Sequence, residues 1–259
     1  VSLLSILLTN LGAVLILMLG AWILSLIRGK ACVADSFWGM GFVLIAWLAW
    51  SMGPGTIRSL LVAVLISVWG LRLFFHITMR NWGQPEDRRY RAMRERQGRR
   101  FWWVSLFSVF LIQGILLWII SLAPQLAQLS SVPKQLTWLD WVGLLVWAVG
   151  FIFEVVGDYQ MKRFRDHPAN AGKVMDQGLW GYTRHPNYFG ESLVWWGLFI
   201  ICLATPYGWC ALISPLLITV LLLKVSGVTM LEKDISQRRP EYEKYKREVS
   251  AFIPWFRVR

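Results

Sequence analysis

LLSILLTNLGAVLILMLGAWILSLI, residues 3–27, holds no Asp, Glu, Lys or Arg. An α-helix crosses the hydrocarbon core of a bilayer in about 20 apolar residues, so this run is long enough to span. It is too long for a signal peptide and no small-residue cleavage site follows it, which predicts a retained anchor. Working outward, comparable runs occupy Phe37–Trp50, Ile57–Met79, Phe101–Leu122, Trp138–Met161, Tyr188–Leu203 and Trp209–Met230. With 56% hydrophobic residues and a mean hydropathy of +0.48, the 259-residue chain carries too much apolar surface for a soluble domain. The pattern predicts an all-α membrane protein with seven transmembrane helices in one domain, residues 1–259.

Seven spans place the two termini on opposite sides of the membrane. The connections after the first, third and fifth spans and the C-terminal tail carry 2, 8, 5 and 8 Lys and Arg, together 23 of the chain's 27. By the positive-inside rule those segments face the cytoplasm, with the N-terminus outside and the C-terminus cytoplasmic. The net charge of +12 therefore marks topology and anionic headgroups rather than nucleic acid, because the basic residues punctuate apolar spans instead of clustering on a soluble module. Trp102, Trp103, Trp138, Trp141 and Trp209 near span ends suit interfacial aromatic belts. Cys32, Cys202 and Cys210 have neither metal-ligand spacing nor the even count of a disulfide framework, so no metal is expected.

Polar residues at membrane depth are costly and by default functional. They concentrate on the basic side. The fifth predicted span carries Glu154, Asp158 and Arg165 at i, i+4 and i+11, which one helical face brings together, as cavity lining or as an interhelical ion-pair cluster. Gln160, Lys162 and Arg163 read as solvated at the helix end. The following segment, GLWGYTRHPNYFGE at Gly178–Glu191, is the densest polar insert. Pro186 suits the first turn of a helix, which sets Arg184 and His185 at an N-terminus able to attract phosphate or carboxylate. Asn187 and Glu191 share a face there, beside Tyr188. In the third span Arg72 and His76 lie one turn apart, either lining a cavity or partnering an acid such as Asp35. After that span, Glu86, Asp87 and Tyr90 precede an Arg run in which Arg88 and Arg89 suit a cofactor phosphate and the later arginines suit anionic headgroups. The tail alternates charges with Tyr242 and Tyr245 and closes on Phe252, Ile253, Pro254, Trp255 and Phe256. That pattern predicts a helix folded back on the membrane face, docked by its aromatic residues, with Tyr245 in reach of the site.

No Walker loop or strand-linked glycine fingerprint is present, which excludes a soluble-type nucleotide domain. A polar pocket open to the cytoplasm and walled by apolar helices suits a charged cofactor together with a lipid-like substrate. The pieces DSFWG (Asp35–Gly39), GLRLFFH (Gly70–His76), EDRRY (Glu86–Tyr90), EVVGDYQ (Glu154–Gln160), GLWGYTRHPNYFGE, the Leu231-Glu232 pair, YEKY and FIP resemble the steroid 5-alpha-reductase family. The likeness is to its bacterial, DUF1295-like branch and covers nearly the whole chain. The resemblance implies an inner-membrane reductase that uses NADPH to saturate a carbon–carbon double bond conjugated to a ketone in a steroid-like or other hydrophobic substrate.

It also implies site residues: Asp158, Arg165, Asn187, Tyr188 and Glu191 for the dinucleotide, with Tyr182, Arg184, His185 and Tyr245 as additions. Eukaryotic members use a Gln-Glu pair and a Tyr for the substrate ketone, where this chain has Ala34 with Asp35, and Phe74. Asp35, His76 and Tyr90 are then the acid candidates, and Asp35, Arg72 and Phe74 the substrate contacts. Membrane methyltransferases that use S-adenosylmethionine on isoprenylcysteine or phospholipids carry a related RHP-Tyr element and form the alternative. A lipid-binding or transport protein without chemistry is a third.

Overall fold

The computed structural model describes residues 2–225, 227, 228, 232, 235 and 239–257, most of them in helices. In chain order the α-helices are α1 Leu3–Arg28, α2 Val33–Met52, α3 Ile57–Asn81, α4 Arg88–Gln97, α5 Phe101–Ser105, α6 Ile112–Ile120, α7 Leu122–Leu129, α8 Trp138–Asp166, α9 Pro186–Leu203, α10 Ile213–Val220 and α11 Glu241–Glu248. Six continuous helical stretches among the described residues are long and apolar enough to cross a membrane. They are Leu3–Arg28, Val33–Met52, Ile57–Asn81, Arg88–Ile120, Trp138–Asp166 and Gly208–Val225. Outward-facing Leu4, Ile16 and Ile27 on α1 fit lipid contact, and the protein reads as an integral membrane protein. The sixth predicted span forms α9, but Pro186, Asn187 and Glu191 in its first two turns lower its hydropathy and keep it outside this set. The last predicted span begins at Gly208 and is helical to Val225, while its expected end at Met230 falls outside the described residues.

The chain divides into two compact units, Val1–Thr137 with Cys202–Ala211, and Trp138–Ile201 with Leu212–Arg259. In the first, α1 starts where the Ser2 hydroxyl accepts the Ser5 N–H at 3.2 Å, and it stops at Gly29, whose φ of +66° is the left-handed cap favoured at glycine. α1 packs on α2, and α2 on α3. The α2–α3 crossing is set by Gly39 and Gly70, where a Cβ on either would collide with the backbone carbonyl of the other. Buried polar side chains pin this unit internally. Asn10 donates to Gln125 at 2.7 Å, Gln125 to the Ser121 hydroxyl at 2.7 Å, and Gln128 to the carbonyls of Ala46 and Ser59. A π-helical turn at Leu106–Leu111 joins α5 to α6, two residues before Gln113. Such turns re-aim the side chains that follow them.

The second unit is organised by glycine. Gly143, Gly150 and Gly157 recur every seventh residue along one face of α8. A Cβ on Gly143 would meet the Gly197 carbonyl at 2.6 Å, and one on Gly150 the Gly190 carbonyl at 2.6 Å. One on Gly157 would lie 3.2 Å from the Asn187 nitrogen. The reciprocal contacts hold too: Gly190 faces Gly150 and Glu154, and Gly197 faces Gly143 and Trp147. α8 and α9 thus lie backbone against backbone, the arrangement that small residues permit in membranes. This brings the first turn of α9 against the middle of α8.

Candidate functional site

In the second unit the close approach at Gly157 sets Asn187 beside Asp158, and the Asn187 amide donates to the Asp158 carboxylate at 3.1 Å. Glu154 is buried one turn earlier on α8. Tyr188 stacks flat on His185, with ring centroids 5.5 Å apart and planes within 2°. Glu191 is half-buried on α9, and Arg165 is exposed in the last turn of α8. The sequence-predicted Asp158, Asn187, Tyr188 and Glu191 therefore fall in one region.

Arg184 and His185 have a second involvement that sequence reasoning missed. Arg184 commits four of its five N–H donors: two to Glu232 at 2.8 and 3.1 Å, and two to the carbonyls of Lys246 and Val249 at 2.8 and 2.6 Å. His185 Nε2 lies 2.9 Å from the same Glu232 oxygen, and the Tyr242 hydroxyl donates to it at 3.1 Å. Arg184 and Glu232 side chains are only 7% and 10% exposed, so this is a desolvated ion pair. Burial by itself would raise the Glu232 pKa, but the hydrogen bonds from His185 and Arg184 outweigh it and hold the carboxyl down to about 2. For Arg184 burial opposes the charge, and the Glu232 carboxylate more than restores it, leaving its pKa raised. Tyr242 is pushed up by burial and by the neighbouring Glu232 charge.

These bonds fasten the C-terminal segment to the insert before α9. Thr183 and Ser250 form a bridge, the Arg184 N–H donates to the Ser250 carbonyl at 2.9 Å, and the Thr183 hydroxyl to the Phe252 carbonyl at 2.8 Å. Tyr245, a predicted cofactor contact, is buried with its hydroxyl donating to the Trp180 carbonyl at 2.6 Å. Tyr182 is 48% exposed and meets Phe256 edge to face. Gln160 is not merely solvated: its side-chain oxygen accepts the Leu179 N–H at 3.0 Å, one turn after the Trp180 indole has donated to the Gly157 carbonyl. Leu231 lies outside the described residues.

A second polar cluster sits in the first unit. α2 begins four residues before the predicted span, which places Asp35 in its first turn. Arg89 meets one Asp35 oxygen at 2.9 Å and the Tyr90 hydroxyl donates to the other at 2.6 Å. Both come from α4, whose N-cap is Asp87. The Gln113 amide donates to the Tyr90 oxygen at 3.2 Å, while its own carbonyl oxygen is buried without a partner. Glu86 accepts two bonds from Arg94, at 2.9 and 3.0 Å, and the Ala31 N–H at 2.7 Å. Burial works to raise its pKa, and these donors bring it below the usual carboxylate range.

Among the predicted groups of this unit, Asp35 and Tyr90 are thus in direct contact. The cation on Asp35 is Arg89, from α4. Phe74 packs edge-on against Phe37, with Arg72 and His76 half-buried on the same helix. Gln113 was silent in the sequence, since one amide in an apolar span carries no spacing signal.

The family model described as a protein of unknown function, DUF1295, matches residues 21–249, which hold both polar clusters. The chain belongs to the DUF1295 family. This DUF1295 chain is 23% identical to the uncharacterized protein C594.04c of Schizosaccharomyces pombe, over 76% of its own length and 63% of that protein's. It therefore spans less than two thirds of that relative. A shorter likeness, 35% identity over 66 residues, links 26% of the chain to 23% of a probable O-methyltransferase, ustE, of Ustilaginoidea virens. No solved structure matches the chain.

Proposed function

We propose that this DUF1295 protein is an NADPH-dependent reductase of the steroid 5-alpha-reductase type, acting on a carbon–carbon double bond conjugated to a ketone in a steroid-like or other hydrophobic substrate. The observation that carries the reading is the Tyr90–Asp35–Arg89 chain, a phenol held on an ion-paired carboxylate at 2.6 Å. Saturating an enone needs a hydride at the β-carbon, a proton at the α-carbon and a donor to the ketone oxygen as negative charge develops there. The hydride is the chemistry that bound NADPH would supply. Tyr90, whose one proton rests on Asp35 in the structure, turns that proton to the ketone oxygen and takes it back from the resulting enol as solvent protonates the α-carbon, with Asp35 fixing its orientation. Phe74 and Arg72 contribute substrate contacts, with His76 as the reserve acid.

The residues of the second unit fit the dinucleotide. Asp158 and Asn187 offer paired acceptor and donor groups at the first turn of α9, and Glu191 and Tyr188 continue that surface. Arg165, exposed at the end of α8, provides charge for a phosphate. Arg184, His185 and Tyr245 act on the cofactor by holding the segment that carries these groups, and Tyr182 lies at its exposed rim. In this reading α9 is the sixth of seven spans, the N-terminus is outside, and the pocket opens to the cytoplasm of a bacterial inner membrane, in line with the distribution of Lys and Arg.

The partial likeness to a probable O-methyltransferase supports a second reading, methyl transfer from S-adenosylmethionine. Thermal stabilisation of the detergent-solubilised protein separates the two. The reductase reading expects stabilisation by NADPH above NADH and S-adenosylmethionine, followed by NADPH oxidation with a Δ4-3-ketosteroid. Selective stabilisation by S-adenosylmethionine would sink it. Arg165→Ala and Asn187→Ala should each weaken NADPH binding at least about tenfold, the loss of one charge-assisted contact; unchanged affinity would overturn the site assignment.

A further inference from the structure

The aromatic residues of the C-terminal segment divide into two sets. Tyr242 and Tyr245 point inward and are about 5% exposed. Ile253, Trp255 and Phe256 point outward at 64, 67 and 77% exposure, adjoining the half-exposed ring of Tyr182. Three large apolar side chains in one turn, held out by a backbone bond from the Trp255 N–H to the Tyr182 carbonyl at 2.9 Å, require a cover.

The tie points give the depth of this turn. The insert that holds it is bonded to α8 at Gly157 through the Trp180 indole. Lys162 and Arg163, the first exposed cations of α8, lie five and six residues further on, about 8 Å along the axis at 1.5 Å per residue. The aromatic turn is therefore fastened at the boundary between acyl chains and headgroups, where Trp and Tyr collect in membrane proteins. Beside it, Arg184, Lys246, Arg247, Glu248, Trp255 and Phe256 help line a hollow of about 310 Å³, in which the Glu248 carboxylate is already paired with Arg257 at 2.7 Å. Lys246 and Arg247 are exposed there. Apolar residues facing one way and exposed cations at their edge describe an interfacial anchor with a preference for anionic lipid.

We propose that the C-terminal segment is an interfacial membrane anchor: Ile253, Trp255 and Phe256 insert into the leaflet on the basic side of the protein, and Lys246 and Arg247 receive the headgroup phosphate of an anionic phospholipid. The device explains why the segment is tied so firmly to the insert before α9, since the anchor holds that insert against the bilayer. It is independent of the reaction.

The test uses the full chain in nanodiscs of phosphatidylcholine, with and without phosphatidylglycerol, in a Cys210→Ser background because Cys210 is the exposed cysteine. Spin labels at Trp255→Cys and Phe256→Cys report collisions with oxygen, which partitions into lipid, and with a water-soluble nickel chelate. Oxygen should dominate at both positions by several-fold, against nickel dominance at the exposed control Lys244→Cys. Phosphatidylglycerol should lower nickel access further, and Lys246→Gln with Arg247→Gln should abolish that increment. Nickel dominance at 255 and 256, or dipolar broadening from a second copy of the chain, would overturn the anchor. Equal nickel access with and without phosphatidylglycerol would overturn the headgroup assignment.

Discussion

Replacing Gly190 by Ala tests the α8–α9 contact on which the second unit's polar groups depend. The added Cβ would lie 2.5 Å from both the Glu154 nitrogen and the Gly150 carbonyl, and 3.0 Å from the Glu154 Cα. All three are backbone atoms, so no side chain can rotate away. Ordinary carbon contacts lie at about 3.5–4.0 Å, so the helices must separate locally by about 1 Å. Overpacking of this kind costs about 1–3 kcal/mol, or about 5- to 150-fold in the folded ratio. The separation should also open the Asn187–Asp158 bond, which stands at 3.1 Å one turn away. The control is Gly20→Ala in α1, where a Cβ meets nothing within 4 Å and helix propensity alone favours Ala by about 0.5–1 kcal/mol. Thermal unfolding in nanodiscs should show Gly190→Ala several degrees below wild type and Gly20→Ala at or above it. If the two variants unfold alike, backbone proximity does not organise this unit.

Glu232→Gln should loosen the C-terminal segment, because removing one partner of a buried ion pair costs about 3–5 kcal/mol; trypsin cleavage after Lys244, Lys246 and Arg247 is the readout. Because Glu232 titrates at about 2 when folded against 4.5 when free, its contribution is fully present above about pH 4.5 and disappears as pH falls toward 2. Resistance of the segment to pepsin, which is active in acid where trypsin is not, should therefore fall across that window in wild type, with a flatter profile in Glu232→Gln. Tyr90→Phe keeps the ring but removes the proton, so turnover of an enone should drop by at least about 100-fold, the typical worth of a general acid, with NADPH affinity unchanged. Asp35→Asn should lower turnover and leave Arg89 with Asp87 as its remaining carboxylate partner, read as a loss of thermal stability larger than that of Tyr90→Phe, which removes a hydrogen bond but no charge.

The helices and the charge asymmetry were legible because both are local signals. An apolar run of about 20 residues declares itself, as Leu3–Arg28 and Trp138–Asp166 do. α2 was read four residues short because Asp35 looks like a boundary in sequence. In the structure it sits in the first helical turn, where the positive end of the helix and Arg89 accept a carboxylate. The polar insert before α9 was also visible as chemistry at membrane depth, and Asp158 and Asn187 do meet.

What the sequence could not choose was partners. Arg72, Arg88, Arg89 and Arg184 carry the same charge on the same side chain, and nothing local distinguishes a phosphate ligand from a structural clamp. Packing assigns Arg89 to Asp35, 54 residues away, and Arg184 to Glu232, 48 residues away. The seven-residue glycine repeat of α8 was equally open in sequence, since a glycine records only the absence of a side chain. Only the helix lying against it gives that absence a meaning. The sequence by itself determined a helical membrane protein with its polar chemistry on the basic side, because bilayer thickness and charge act on each segment separately. The tertiary structure alone decided which polar groups share a site and which hold the chain in place, because those pairings arise from close contact between distant segments.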